Sequence, residues 1–504
     1  MNQIRSGIII SYINIAFNIL FSILLTPVMM RGFGDSQYGL YLMIGSFISF
    51  IAVADFGIND AIVRFIARYR ARGNREGERD FFSTCIGLYL IISLIVVAAG
   101  AVCYVFLPEI IGKEFSPDEI VLARRMFAVL LVNLLVTLPG SAFNGLLTSY
   151  ELFSFQKSVL LARLVLRTAT VYILVRAGFD ALAVVIADTL FNVAVIAINA
   201  AYAKRKTHIK VSLGYFRRRF VPSIFRYSFW IFCNMLFDQF YWRVGQIILG
   251  VMFGGAVVTV FANGIQLGGY YFMVFSTAIA GVFLPRAAQM STQRATGAEY
   301  TAMMTKIGRL QFAMLMYIVT GFVLLGRPFI TLWIGAEYME TWTIALIVMI
   351  PMVIPLTQNF GISILKALNM HRIRALVFLA ISIVNVIIGW LLARRYGGIG
   401  MAAGTALSLI VGQTFFMNWY YKTRLGIDVK RFFMSLASML PGVAIALAAG
   451  FALSLAYTPD SWLSLAAGAA IYTAIYFPAM YFTGFDEYEK RLVRQLAGKL
   501  KTKS

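Results

Sequence analysis

Apolar residues run on for about twenty positions at a time along this chain, and short polar stretches separate the runs. A bilayer's hydrocarbon core is about 30 Å thick, so a spanning helix needs about 20 apolar residues. The pattern predicts fourteen spans, at 8–30, 38–60, 82–107, 122–148, 158–176, 181–203, 228–252, 257–284, 309–326, 342–368, 375–393, 398–421, 436–457 and 462–483. Lipid offers no partner to an open backbone, which leaves helices or closed barrels as spanning structures. Barrel strands would alternate over ten-residue segments, whereas these runs are continuously apolar and longer. The expected fold class is therefore an all-α membrane protein of fourteen transmembrane helices.

The longest polar interruption is 204–228, after six spans. It divides the chain into an N-lobe at 1–203, a basic linker at 204–228 and a C-lobe at 229–421. An extra helix pair at 422–483 and a basic tail at 484–504 follow. Shifting the first lobe by 220 residues sets Asn14 on Asn234, Phe17 on Phe237 and Asn18 on Asp238, and brings Phe33-Gly34 onto Phe253-Gly254. No gap is needed over about thirty residues. Two six-span repeats that start on the same side would be related by an axis along the membrane normal, with a substrate path at their interface.

Composition agrees with this reading. Of 504 residues, 60% are hydrophobic and 13% charged, against about a quarter charged in soluble domains. The net charge of +22 raises the question of a nucleic-acid partner. Its distribution answers against one. With the N-terminus inside, most Lys and Arg fall in the inner segments, eight of them in 204–228. This bias orients membrane proteins and places both termini in the cytoplasm. Two stretches, 61–72 and the tail, carry apolar residues on one side and basic ones on the other, as interfacial helices on an anionic leaflet do.

Enzymatic chemistry has little to work with. The chain has no GxxxxGK[ST] loop and no HExxH. Its two histidines, His208 and His371, sit in inner loops, and Cys85, Cys103 and Cys233 are isolated. No cofactor or metal is expected. A membrane enzyme of polysaccharide assembly would have to use the outer-loop acids Glu109, Glu114, Asp118 and Glu119.

The informative residues are charges within the spans, since each costs about 2.5–3.5 kcal/mol on insertion scales and should face protein or water. Arg163 and Arg167 share a face of the fifth span, Asp188 is on the sixth, Asp238 and Arg243 are on the seventh, and Lys366 is near the inner end of the tenth. Gln239, Arg243 and Gln246 form a polar stripe, and Asn14, Asn18 and Asn234 add polar groups. One reading makes Arg163, Arg167, Arg243 and Lys366 the basic lining of a cavity for an anionic substrate, because guanidinium binds phosphate oxygens in a fork and keeps its charge. Asp188 and Asp238, with Asn14, Asn18 and Asn234, would then line the lumen or couple an ion. The other reading pairs Arg163 or Arg167 with Asp188 and Asp238 with Arg243 as helix ties, with Lys366 snorkelling to the interface. Asp55 and Arg64 bracket the end of the second span as a helix-end pair. Pro27, Pro351 and Pro355 mark bends.

Residues 26–69, TPVMMRGFGDSQYGLYLMIGSFISFIAVADFGINDAIVRFIARY, carry the elements RxFGxxxYGLY and DFGxxxAxxRxxA. Together with GRPFITLWIGAEY at 326–338 and ILKALNMHRIRA at 364–375, this run resembles the Wzx-type polysaccharide flippases of the MATE-like superfamily, which export O-antigen and capsule units. The resemblance covers the full chain. It implies a 6 + 6 + 2 plan in the cytoplasmic membrane and translocation of an undecaprenyl-pyrophosphate-linked oligosaccharide from inner to outer leaflet. It also implies proton or sodium coupling, with membrane lipid, a polysaccharide polymerase and a chain-length regulator as partners. Two relatives of the same fold are the alternatives. A lipid II flippase would also have a basic cavity, and a multidrug exporter would favour acids facing organic cations.

Overall fold

The computed structural model describes residues 2–209, 211–368 and 370–501, and its regular structure there is helical throughout. The first helices are α1 (Asn2–Phe33), α2 (Asp35–Ala52), α3 (Ile58–Ala71), α4 (Arg75–Ile111), α5 (Pro117–Ser149), α6 (Phe153–Arg176) and α7 (Ala181–Thr207). Next come α8 (Val221–Trp242), α9 (Val244–Phe253), α10 (Gly255–Thr292), α11 (Gly297–Trp333), α12 (Glu340–Thr357) and α13 (Asn359–Ala367). The last are α14 (His371–Leu409), α15 (Met417–Leu425), α16 (Val429–Ala437), α17 (Leu440–Ala456), α18 (Trp462–Ala479) and α19 (Glu487–Lys501). Two compact units share them. One holds 1–262 with 378–401, the other 263–377 with 402–504.

Thirteen segments among the described residues are long and apolar enough to cross a membrane. The expected number was fourteen. The difference lies in Leu376–Leu425, one segment where two spans, 375–393 and 398–421, were expected. That segment folds back on itself. Gly397 has φ 54° and ψ −134°, and a methyl group on Gly389 would lie 2.8 Å from the Met401 side chain. In a straight helix those two residues would be about 18 Å apart.

Within the first unit, helix starts and stops follow local chemistry. Ser116 and Glu119 form a capping box at the start of α5, with Pro117 just after the cap, and Asp180 caps α7. Each satisfies amide groups that a helix end would otherwise leave open. The aligned glycines Gly34 and Gly254 have nearly the same backbone, φ 76° with ψ 164° and φ 77° with ψ −175°. The aligned Asn14 and Asn234 both donate to the carbonyl four residues back, Ile10 and Trp230.

The contact between α2 and α10 follows the same symmetry. The Gly39 α-carbon faces the Gly255 carbonyl so closely that a Cβ on Gly39 would lie 1.8 Å from that oxygen. Thr259 Oγ1 donates to the Asp35 carbonyl at 2.7 Å. A shift of 220 converts 35 to 255 and 39 to 259, so the pairs 39–255 and 35–259 exchange with one another. Such reciprocity marks a two-fold contact.

Two local expectations do not hold. Residues 61–72 do not lie free on a surface. Phe56 and Gly57 take left-handed backbone, breaking the helix and turning α3 so that Ile58, Ala61, Ile62 and Ile66 pack in the unit's core with Phe81, Phe82 and Leu146. Asp55, in that break, does not pair with Arg64. Its carboxylate accepts from Tyr89 and from Ser141 at 3.3 Å, while Arg64 stacks on Tyr227. The basic linker is pinned, with Arg217 bound to Asp80 at 3.2 Å.

In the second unit, Arg309 of α11 is buried and fully engaged. It grips Glu489 of α19 through two bonds of 2.8 and 2.7 Å, and it donates to the carbonyls of Ser435 and Gly484 and to Ser438 Oγ. Removing one member of a buried ion pair costs about 3–5 kcal/mol, because the other charge is left unanswered. Glu489→Ala is expected to lower the thermal unfolding midpoint of the detergent-purified protein clearly, and an unchanged midpoint would contradict the role assigned to the pair.

Overpacking a close helix contact costs about 1–3 kcal/mol or more. Gly39→Ala and Gly255→Ala are each expected to destabilise by at least that much. Gly45→Ala, on the same helix with nothing within 4 Å, should be neutral or stabilising by up to about 1 kcal/mol. Equal midpoints for all three would remove the contact from the account.

Candidate functional site

The first unit brings three of the four expected cations toward one another. Arg163 and Arg167 are one turn apart on α6, and Asp188 faces them from α7. Arg167 binds Asp188 in the bidentate manner, Nε to Oδ1 at 2.5 Å and Nη2 to Oδ2 at 2.8 Å. The hydroxyl of Tyr41, from α2, lies alongside both partners. Tyr41 also lies on the side of α2 toward Arg243. For Arg167 the tie between helices is therefore the arrangement present, and its charge is answered by Asp188.

Arg163 and Arg243 differ. Among the described residues neither has a carboxylate within ion-pair distance. Arg163 feels Asp188 only at longer range. The expected pair of Asp238 with Arg243 does not form. The reason is local. Arg243 closes α8 and opens α9 with φ −116° and ψ −34°, a break that a continuous-helix reading of Gln239, Arg243 and Gln246 could not include. Past the break Gln246 is buried and accepts a bond from Ser46 on α2. Arg243 itself is exposed, as is Asp238.

The remaining expected residues divide by helix. Asn14 ties α1 to α6 by donating to the Lys157 carbonyl at 3.1 Å. Asn18 is exposed on α1, and Asn234 is half-buried on α8. Lys366 belongs to the second unit, exposed on the short helix α13.

Sequence reasoning passed over a run of neutral polar groups. Asn133, Thr137, Ser141, Asn144 and Thr148 climb one side of α5, and Asn192 and Asn199 stand seven apart on α7. Asn192 Nδ2 donates to Asn133 Oδ1 at 2.7 Å and to Thr137 Oγ1 at 2.6 Å. Asn199 Nδ2 donates to Asn144 Oδ1 at 2.8 Å. A signal was available in the spacing of 133, 137, 141, 144 and 148, which is helical. Inside an apolar segment such a row points to an interhelical polar seam.

This architecture is that of flippases and exporters whose structures are solved. The lipid II flippase MurJ in an inward closed conformation superposes with a TM-score of 0.74 and 14% identity, covering 96% of this chain and 99% of that one. An inward-facing multidrug resistance MATE family transporter of the MOP superfamily gives 0.64 and 15%, covering 82% and 94%. At such identities the likeness establishes the fold.

Sequence establishes the family. Residues 4–291, more than half the chain, match the polysaccharide biosynthesis protein family, and the chain belongs to it. It is 20% identical to the uncharacterized membrane protein EpsK of Bacillus subtilis over 488 residues, 94% of each chain. It is also 20% identical to a putative O-antigen transporter of Shigella flexneri over 403 residues, 78% of this chain and 91% of that one.

The Arg167–Asp188 pair yields a test. Asp188→Asn leaves a half-buried guanidinium with a weaker partner and is expected to destabilise by about 1–3 kcal/mol. Combining Arg167→Met with Asp188→Leu should recover part of that loss. Thermal unfolding of the two variants decides the matter, and a double variant less stable than Asp188→Asn would show that the pair does more than join α6 to α7.

Proposed function

We propose that this protein is a flippase, with no catalytic step, that carries an undecaprenyl-pyrophosphate-linked oligosaccharide from the inner to the outer leaflet of the cytoplasmic membrane. Lobes at 1–203 and 229–421 alternate access around a cation-lined cavity. The helix pair at 422–483 flanks them, and both termini lie in the cytoplasm. A proton or sodium gradient drives the cycle, and the polymerase and chain-length regulator act on the delivered product. Membership in the polysaccharide biosynthesis family supports the cargo class, and the reciprocal contact of α2 with α10 supports the repeat.

One observation carries the cavity chemistry. Among the described residues Arg163 and Arg243 lie in apolar segments with no carboxylate within ion-pair distance, and permanent charges so placed favour an anionic substrate. Pyrophosphate and acidic sugars meet that demand, and organic cations do not, which sets the multidrug reading behind. A lipid II flippase is the second reading, favoured by the superposition on MurJ over nearly the whole chain. Its cargo has the same pyrophosphate.

In a strain lacking the gene, wild-type protein should restore surface polysaccharide. Arg163→Ala and Arg243→Ala should each reduce it at least tenfold at normal protein level. Arg167→Ala should act mainly by lowering protein level, since its partner is lost. Full activity in the Arg163 and Arg243 variants would reject the cation-lined route. Loss of activity on neutralising Glu109, Glu114 and Asp118 would favour an enzyme instead. Rescue of a lipid II flippase deletion would favour the second reading.

A further inference from the structure

A pocket of about 430 Å³ opens between α5, α6 and α7 in the first unit, one turn along α6 from the Arg167–Asp188 pair. That volume falls among small-ligand sites, about 300–1,000 Å³. Its lining is unusual for helices this apolar. Asn144, Gln156, Lys157, Arg163, Asn192 and Asn199 all face it. The amides are held in place from behind. Gln156 Nε2 donates to the Asn144 carbonyl at 2.8 Å, Thr148 Oγ1 to Gln156 Oε1 at 3.2 Å, and Asn199 Nδ2 to Asn144 Oδ1.

Two kinds of group in the pocket are left unanswered. Among the described residues neither Lys157 nor Arg163 has an ion-pair partner. Asn199 is 3% exposed, and its Oδ1 accepts no hydrogen bond. A buried acceptor without a donor costs about 1–3 kcal/mol, and an unpaired charge more. A ligand able to answer all of them needs oxygens that carry negative charge and hydroxyls that donate. Sugars with an acidic substituent have both. Neutral sugars lack the charge, and simple inorganic anions offer few donors and cannot span the pocket.

We propose that the α5–α6–α7 pocket is a binding site for a hydroxyl-rich anion, a polyol or sugar bearing a carboxylate or phosphate, with Lys157 and Arg163 taking the charge and the Asn144, Asn192 and Asn199 amides reading the hydroxyls. The assignment deepens the flippase reading, on which it rests for the origin of the ligand. Two sources share the chemistry, an acidic residue of the transported glycan and the glycerol phosphate headgroup of a bilayer lipid.

Binding can be measured without transport, so the two readings fail separately. The full chain, purified in detergent, is melted with glucuronate, glucose 1-phosphate, glucose or inorganic phosphate, since a ligand that binds the folded state raises the midpoint. Glucuronate and glucose 1-phosphate should raise it, with glucose and phosphate giving less. Lys157→Gln with Arg163→Gln should weaken the effect at least tenfold in ligand concentration. The control Lys422→Gln with Lys430→Gln removes the same charge from exposed positions and should leave it intact. Should the first double variant fail to fold, Lys157→Glu serves in its place.

Native mass spectrometry with phosphatidylglycerol against phosphatidylethanolamine separates the sources. Retention of phosphatidylglycerol that depends on Lys157 and Arg163, without a sugar effect, supports the site and assigns it to lipid. Equal shifts with glucose and glucuronate, or an effect unchanged in the double variant, overturn the proposal. Binding that holds while Arg163→Ala still exports polysaccharide would preserve the site and reject the cation-lined route.

Discussion

A guanidinium drawn into an apolar helix carries five N–H donors and a charge that cannot be shed by deprotonation. Something must answer both. This chain shows three answers. Arg309 is met on every side, by Glu489 and by the carbonyls of Ser435 and Gly484. Arg167 is met by one carboxylate, Asp188. Arg163 meets no acid among the described residues and opens onto a pocket of amides. The series runs from a closed structural tie to a group that needs a ligand or water to complete it, and the functional reading rests on the last member.

The same requirement separates what was legible in the sequence from what was not. Span positions follow from local hydropathy, so nearly all were readable, and within Leu376–Leu425 the polar run Arg394-Arg395-Tyr396 marks the turn at Gly397. Likeness between the aligned positions was local too: Gly34 and Gly254 have nearly the same backbone angles, and Asn14 and Asn234 each donate to the carbonyl four residues back. Pairing across distance was not readable. Arg309 and Glu489 are 180 residues apart, and the tail holding Glu489 looked like a free interfacial helix. Regular geometry also misled where the chain departs from it. The break at Arg243 scatters a predicted stripe, and the break at Phe56 and Gly57 directs Asp55 toward Tyr89 and Ser141.

The polar seam of α5 and α7 connects these themes. Its asparagines and threonines carry no charge, so a search for costly residues passes over them. They nevertheless do what charges do elsewhere in the chain, by joining helices and orienting groups toward an open space. Ser141 stands at the crossing. It lines the pocket and its hydroxyl also lies 3.3 Å from the Asp55 carboxylate, so the seam reaches from the pocket to the carboxylate in the helix break.

The meeting of Gly39 with Gly255 has a mechanical side. With a carbonyl oxygen seated where a side chain would begin, α2 cannot slide along the start of α10 without lifting away from it. Nor can it tilt freely there, because Met43, Ile44 and Ser46 further along α2 are buried and Ser46 donates to Gln246 of α9. Two bare backbones in contact thus act as a stop that fixes the depth at which α2 meets α10, and the missing pair of methyl groups sets that depth.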